Sequence, residues 1–213
     1  MIQIDDAGSG SLLGGTIIGI VRVETGEYEF DTIPLEYYRD DYFKQKEYIC
    51  YVITIVKKLF HKINVTTEEK IEVCRGYMFD KLKIWLEENN YTYVCTQIQE
   101  PLQSLVEKSF EEYAISLGLP QSFIAYTKYP FHFHRILKWV YADFENRSLL
   151  CKTGWDSWQK YGNLPIEIEE EIVKKSNLFC FKCNEILQQG TRAKVKKFNS
   201  THLNKIFLHS NCL

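Results

Sequence analysis

The sequence predicts an α/β domain on a mixed five-stranded sheet with flanking helices, followed by a small helical segment and a metal-binding tail. Three observations predict it. Short β-branched runs parted by turn signals open the chain, strand-like and helix-like runs then alternate to about residue 118, and two Cys/His pairs at two-residue spacing close it. With 213 residues, 45% hydrophobic and 25% charged, the chain has the length for one sizeable domain, or for one domain plus a small appendage, and its composition argues against a disordered chain.

Ile2 to Asp6 reads as a short strand, broken by Ala7-Gly8-Ser9-Gly10. Gly14-Gly15 opens a second apolar run, Thr16 to Val23, and Glu24-Thr25-Gly26-Glu27 is a turn signal. Tyr28 to Leu35 alternates as a third strand, stopped by Pro34. Two tight connections predict that the three strands are antiparallel. From about Asp41 to His61, Ile49, Val52, Ile53, Val56, Leu59 and Phe60 fall at helical spacing. Lys70 to Met78 is a fourth strand carrying Ile71 and Val73, and Asp80 to Asn90 is a short helix with Leu82, Trp85 and Leu86 on one side. Tyr91 to Ile98 is a fifth strand. Pro101 then stands where a helix can start, and Leu102, Leu105, Val106, Phe110, Tyr113 and Leu117 form its apolar stripe up to Gly118 and Pro120. The order is β-β-β-α-β-α-β-α, and the helices must cover the faces of the sheet.

This order resembles the RNase H-like fold, shared by RNase H, the Holliday-junction resolvase RuvC and many integrases and transposases. The resemblance covers roughly the first half of the chain. Locally, Ile4-Asp5-Asp6-Ala7-Gly8-Ser9, followed by Gly14-Gly15 and an apolar strand, is similar to the Asp-x-Gly-Ser opening of RuvC-type sequences. Enzymes of this fold cut phosphodiesters with two divalent ions, so the resemblance implies Mg²⁺ or Mn²⁺ on hard carboxylate ligands, the ions about 3.5–4 Å apart.

Asp6, at the end of the first strand, is the first expected catalytic ligand. Asp5 faces the opposite way, because side chains alternate on a strand, so only one of the two reaches a shared site unless a bulge intervenes. Glu72, in Ile71-Glu72-Val73-Cys74, is the second, where the resolvase branch is expected to place a Glu; a solvent-facing Glu72 on a half-exposed strand stays open. Glu107 and Glu111 are an i,i+4 pair on the last helix, where the resemblance implies one or two acids aimed at the metals; a solvated acidic face is the alternative. Glu47, among Lys44, Lys46 and Tyr48, reads as a surface charge. The glycines also fit a phosphate cradle of the sugar-kinase and actin type, but that reading needs a second lobe, which only a homodimer would supply.

Residues 119 to about 165 are rich in rings: Phe123, Tyr126, Tyr129, Phe131, Phe133, Trp139, Tyr141, Phe144, Trp155, Trp158 and Tyr161. A helical subdomain that uses its rings to pack on the sheet is the preferred reading, ahead of a stacking surface for unpaired bases backed by Arg135, Lys138, Arg147 and Lys152. His132 to Tyr141 reads as helical, and His132 and His134, two apart, share no helical face. Ile166 to Lys175, with its cluster of glutamates, reads as a short linking helix.

The most specific motif is in the tail. Cys180-Phe181-Lys182-Cys183 and His209-Ser210-Asn211-Cys212 supply four ligands for a closed tetrahedral Zn²⁺ site in a segment too short to bury a core of its own. The pattern, with Ile186, Gly190, Arg192 and a basic strand Ala193 to Phe198, resembles CCHC fingers of the PARP type, and a LIM-like half-module has a similar outline. PARP-type fingers bind DNA ends and LIM-type modules bind proteins. From Ser176 on, six Lys/Arg face one acid, whereas the chain as a whole carries −2, so a nucleic acid partner is expected, DNA ahead of RNA. Cys50, Cys74, Cys95 and Cys151 read as core thiols. No run is apolar enough to span a membrane and no signal-peptide pattern is visible, so a cytoplasmic location is expected.

The expected division is 1–118 for the RNase H-like domain, 119–175 for the aromatic extension and 176–213 for the zinc module. The expected function is metal-dependent cleavage of a nucleic acid phosphodiester. The alternative is a non-catalytic RNase H-like scaffold that docks nucleic acid or protein through its finger.

Overall fold

The computed structural model describes residues 1–125 and 129–212. The chain forms two compact units, one of Met1–Gly10 and Gly14–Leu119, the other of Ser11–Leu13 and the chain from Pro120 on. The segments 119–175 and 176–213 thus share one unit, except that Leu119 stays with the first.

In the first unit, β1 (Ile2–Ala7), β2 (Thr16–Arg22) and β3 (Glu27–Ile33) pair antiparallel, while β4 (Ile71–Cys74) and β5 (Tyr93–Thr96) add in parallel on the other side of β1. The strand order is β3-β2-β1-β4-β5, which is consistent with the RNase H-like fold. The helices are α1 (Asp40–Lys44), α2 (Glu47–Lys62), α3 (Asp80–Glu88) and α4 (Leu102–Ser116). The single long helix expected from Asp41 is two. Lys46 adopts a left-handed backbone at φ 57, which ends α1 and lets α2 start in a new direction. The fourth strand is shorter than expected, since a 3₁₀ turn at Tyr77–Phe79 follows Cys74 closely.

Alternation divides the sheet into two faces. Ile2 and Ile4 of β1, Ile18 and Ile20 of β2, and Ile71 and Val73 of β4 pack with Val52, Val56, Leu59 and Phe60 of α2 in one core. Burial of each such side chain contributes about 1.5–3 kcal/mol. The opposite face carries α4, and glycines let it come close. A Cβ at Gly19 would stand 2.4 Å from Val106 Cγ1, and one at Gly8, where φ is +84, would stand 2.1 Å from the Phe110 ring. Cys50 and Cys95, expected in the core, are exposed; Cys95 stands on the edge strand β5.

The second unit contains α5 (Gln121–Ile124), α6 (Phe133–Ala142), α7 (Phe144–Arg147) and α8 (Asp156–Tyr161). They are followed by β6 (Glu167–Ile172), β7 (Leu178–Phe179), β8 (Ile186–Leu187), β9 (Arg192–Asn199) and β10 (Leu203–His209). The strands β10-β9-β6 form an antiparallel sheet, and β7-β8 form a two-stranded ribbon. Tyr141 of α6 lies 4.5 Å, ring to ring, from Phe198 of β9, and Tyr141, Phe144 and Trp158 stack in turn. These rings therefore pack on β9 and on one another within their own unit; Tyr126 lies outside the described residues. Lys196 Nζ donates to the carbonyls of Tyr141 and Ala142 at 3.2 and 3.4 Å, placing a cation at the negative end of α6.

The expected linking helix at 166–175 is instead the edge strand β6. Its glutamates lie beside the lysines of β9 and β10. Lys194 reaches Glu170 at 2.7 Å, Lys205 reaches Glu171 at 2.6 Å, and Lys197 bridges Glu169 and Glu171. Cross-strand opposite charges favour the strand, and the segment has no apolar stripe that a helix could bury. Among the described residues, no helix is long and apolar enough to cross a membrane.

Candidate functional site

Two groups of side chains carry chemistry, one in each unit. The first lies on the α4 side of the five-stranded sheet. Asp5 pairs across to Gly19, over which Val106 sits, so its side chain is on this face. Gln3 is two residues earlier on the same face and pairs with Glu72 of β4; its Nε2 donates to Glu72 Oε2 at 3.0 Å. Cys74, two residues after Glu72, hydrogen-bonds the Asp5 carboxyl. Glu107 is exposed on α4 and accepts from Gln103 Nε2 at 3.2 Å, while Glu111, one turn on, is half-buried.

The electrostatics centre on Asp5. Burial pushes its carboxyl above the usual range, and the negative charge of Glu107 adds to that. The Cys74 thiol and the Asp6 backbone N–H, which donates to Asp5 Oδ1 at 2.9 Å, pull the other way. Burial pushes the Cys74 thiol up to about 11, with Asp5 and Asp6 adding to the shift. Asp6 takes the other face, with Ile2 and Ile4. There its charge helps burial to raise the Tyr38 hydroxyl, which donates to Thr16 Oγ1 at 2.6 Å. Strand alternation therefore puts Asp5 and Glu72 on the side of the sheet that carries α4 and Asp6 on the other, although the charge of Asp6 still reaches the Cys74 thiol. Gln3 and Cys74 are the neighbours that the sequence reading passed over. Their two-residue spacing from Asp5 and Glu72 was the signal that could have found them.

The second group is in the tail. Cys180, Cys183, His209 and Cys212 have one ligand atom each within 4.8 Å of all the others. Among the described residues it is the one such group of three or more His, Cys, Asp or Glu side chains. The turn after β7 sets the first pair. Asn184, at φ 63, closes it by donating its N–H to the Cys180 carbonyl at 2.8 Å, and Cys180 N donates to Glu185 O at 2.9 Å. The second pair hangs from the end of β10, where Cys212 N donates to His209 O at 3.0 Å.

His209 is held by both ring nitrogens. Nδ1 faces Cys183 Sγ at 3.3 Å, while Nε2 lies 3.2 Å from the Ile186 carbonyl. A donating Nε2–H leaves Nδ1 bare for a metal, the orientation that outer hydrogen bonds give to ligating histidines. Burial raises the Cys180 thiol, but backbone N–H groups of Cys183, His209 and Lys182 overcome it and bring the thiol down to about 7. Burial and the neighbouring thiols push Cys212 up to about 11. Three sulfurs and one imidazole nitrogen at this closeness can hold a metal ion.

The positive charge of the tail is engaged inside its own unit. Arg192 adds a further pair with β6, 3.7 Å from Glu170, and Lys182 lies 3.6 Å from Asp143. No protein-family model matches the chain, and no curated protein matches it.

Proposed function

We propose that the chain is a divalent-cation-dependent nuclease whose first unit cleaves a phosphodiester of DNA or RNA. The observation that carries this reading is the position of Asp5. It lies in the central strand of a 3-2-1-4-5 sheet, on the face shared with Glu72 and close enough to Glu107 for the two charges to oppose each other. A half-buried carboxyl destabilised by burial and by a like charge fits a cation, which would relieve both effects. Asp5, Glu72 and Glu107 would hold the ions, with Gln3 fixing the Glu72 carboxylate. Mg²⁺ or Mn²⁺, when bound, supplies charge stabilisation for the attacking and leaving oxygens. The tail would hold Zn²⁺ and draw its folding energy from it. Recruitment of substrate by the net charge of the tail has weak support, because those lysines already pair with β6.

One observation favours a second reading, a non-catalytic scaffold. The Cys/His donors converge within 4.8 Å, and the carboxylates do not. A cleavage assay on labelled single-stranded, duplex and branched DNA and RNA, with Mg²⁺ or Mn²⁺, separates the two. The nuclease reading expects cuts that disappear in Asp5→Asn. Binding without cuts on any form would give the protein to the scaffold reading.

A further inference from the structure

The second unit contains a cavity of about 650 Å³ that neither reading uses, a volume in the range of small-molecule sites. Phe123, Phe179, Phe181 and Trp139 give it aromatic walls. Arg135, Lys138, His132, His134 and His202 also line it, and no Asp or Glu does so among the described residues. The lining is therefore apolar and cationic at once.

Four buried side-chain polar atoms that lack a hydrogen-bond partner belong to residues that line this cavity. They are His134 Nδ1, Arg135 Nε, Trp139 Nε1 and Asn204 Oδ1. Trp139 is 2% exposed and Asn204 is fully buried. Buried polar atoms are nearly always paired, so a cluster of orphans beside one cavity points to a polar occupant there, water or ligand. Arg135 Nε and Trp139 Nε1 are donors and need an acceptor, while Asn204 Oδ1 is an acceptor and needs a donor. The Asn204 amide is already oriented, since its Nδ2 donates to Ser200 Oγ and His202 O at 2.9 Å each. A ligand with a flat ring and a negative charge matches the aromatic and cationic lining of this cavity.

We propose that this cavity binds a nucleoside phosphate, either a free nucleotide or an unpaired nucleotide at the end of a strand. Its base lies against the aromatic walls, and its phosphate lies among Lys138, Arg135 and the histidines. The proposal does not rest on cleavage by the first unit, and binding can be measured without it.

The test is calorimetric titration of the full chain, without added Mg²⁺ or Mn²⁺. The probes are inorganic phosphate, adenosine, the four common nucleoside 5′-monophosphates, and a short oligonucleotide as single strand and as blunt duplex. A monophosphate or the single strand should saturate one site per chain at least about tenfold more tightly than phosphate, adenosine or the duplex. A site that takes only the strand identifies a strand end as the source, and a site that takes the monophosphate identifies the free nucleotide. Lys138→Ala and Phe179→Ala should each weaken binding about tenfold at an unchanged melting temperature. In the wild-type chain, the imidazole proton signals of His134 and His202 should shift on titration, a readout that needs no variant. Failure of every nucleotide and strand to saturate would overturn the proposal. So would phosphate binding as tightly as the nucleotides, or saturation with no shift of the two histidines.

Discussion

Two adjacent aspartates show how much one residue of register decides. Asp5 and Asp6 differ only in which face of β1 they take, and that face determines whether Glu72 and Glu107 or Tyr38 lies beside them. In the folded chain the Asp5 carboxyl is raised above its ordinary value. Its contribution to stability is therefore complete below the ordinary carboxyl range and is lost as pH rises through the folded value. At neutral pH and without divalent cations, Asp5→Asn should melt at a higher temperature than the wild type. The difference should close as the pH falls below the ordinary carboxyl range, as a thermal melt series would record. Added Mn²⁺ should raise the melting temperature of the wild type and leave that of Asp5→Asn unmoved. In the cleavage assay, the loss in Asp5→Asn should exceed that in Asp6→Asn by about tenfold or more, because only Asp5 shares the face of the other two acids.

At the scale of elements, the approach of α4 to the sheet depends on having no side chain at Gly19. Gly19→Ala should cost about 1–3 kcal/mol in denaturant unfolding, and Val106→Ala in the same chain should recover part of that loss. The edge strand β6 is held by charge. Glu171→Gln removes the partner of both Lys197 and Lys205 and should cost about 1 kcal/mol, less in high salt. These elements also mark what could be read in advance. The five strands, α3, α4 and the Cys/His ligands were legible because period-two alternation, an apolar stripe and chelate spacing are local signals. β6 was not legible, because its glutamates gain a strand's geometry from lysines about twenty-five or more residues later. The break at Lys46 was hidden for a related reason. The stripe from Ile49 to Phe60 continues the period of a helix whose backbone turns before it. The cavity of the second unit could not be read at all, since Phe123, Arg135, Phe179 and Asn204 come together only in the folded chain.

For the whole molecule, the proposed zinc would tie metal binding to folding in the tail. The purified chain should carry about one zinc, measurable by elemental mass spectrometry, and Cys183→Ser should lose it. Chelation should raise hydrogen exchange in β9 and β10, whose ends carry or lead into the ligands, and leave β1 and β2 protected by the core under α2. A final consequence follows from three residues between Gly10 and Gly14. Ser11–Leu13 belong to the second unit, where Leu13 bridges to Cys151 and Leu12 accepts the N–H of Lys152 at 2.9 Å. The polypeptide thus passes from one unit to the other three times rather than once, and no single cut divides it cleanly. A fragment ended near residue 118 would keep Leu12 and Leu13, both fully buried in the intact chain, and would bare them to water. Such a fragment should be sticky in solution however well its sheet forms.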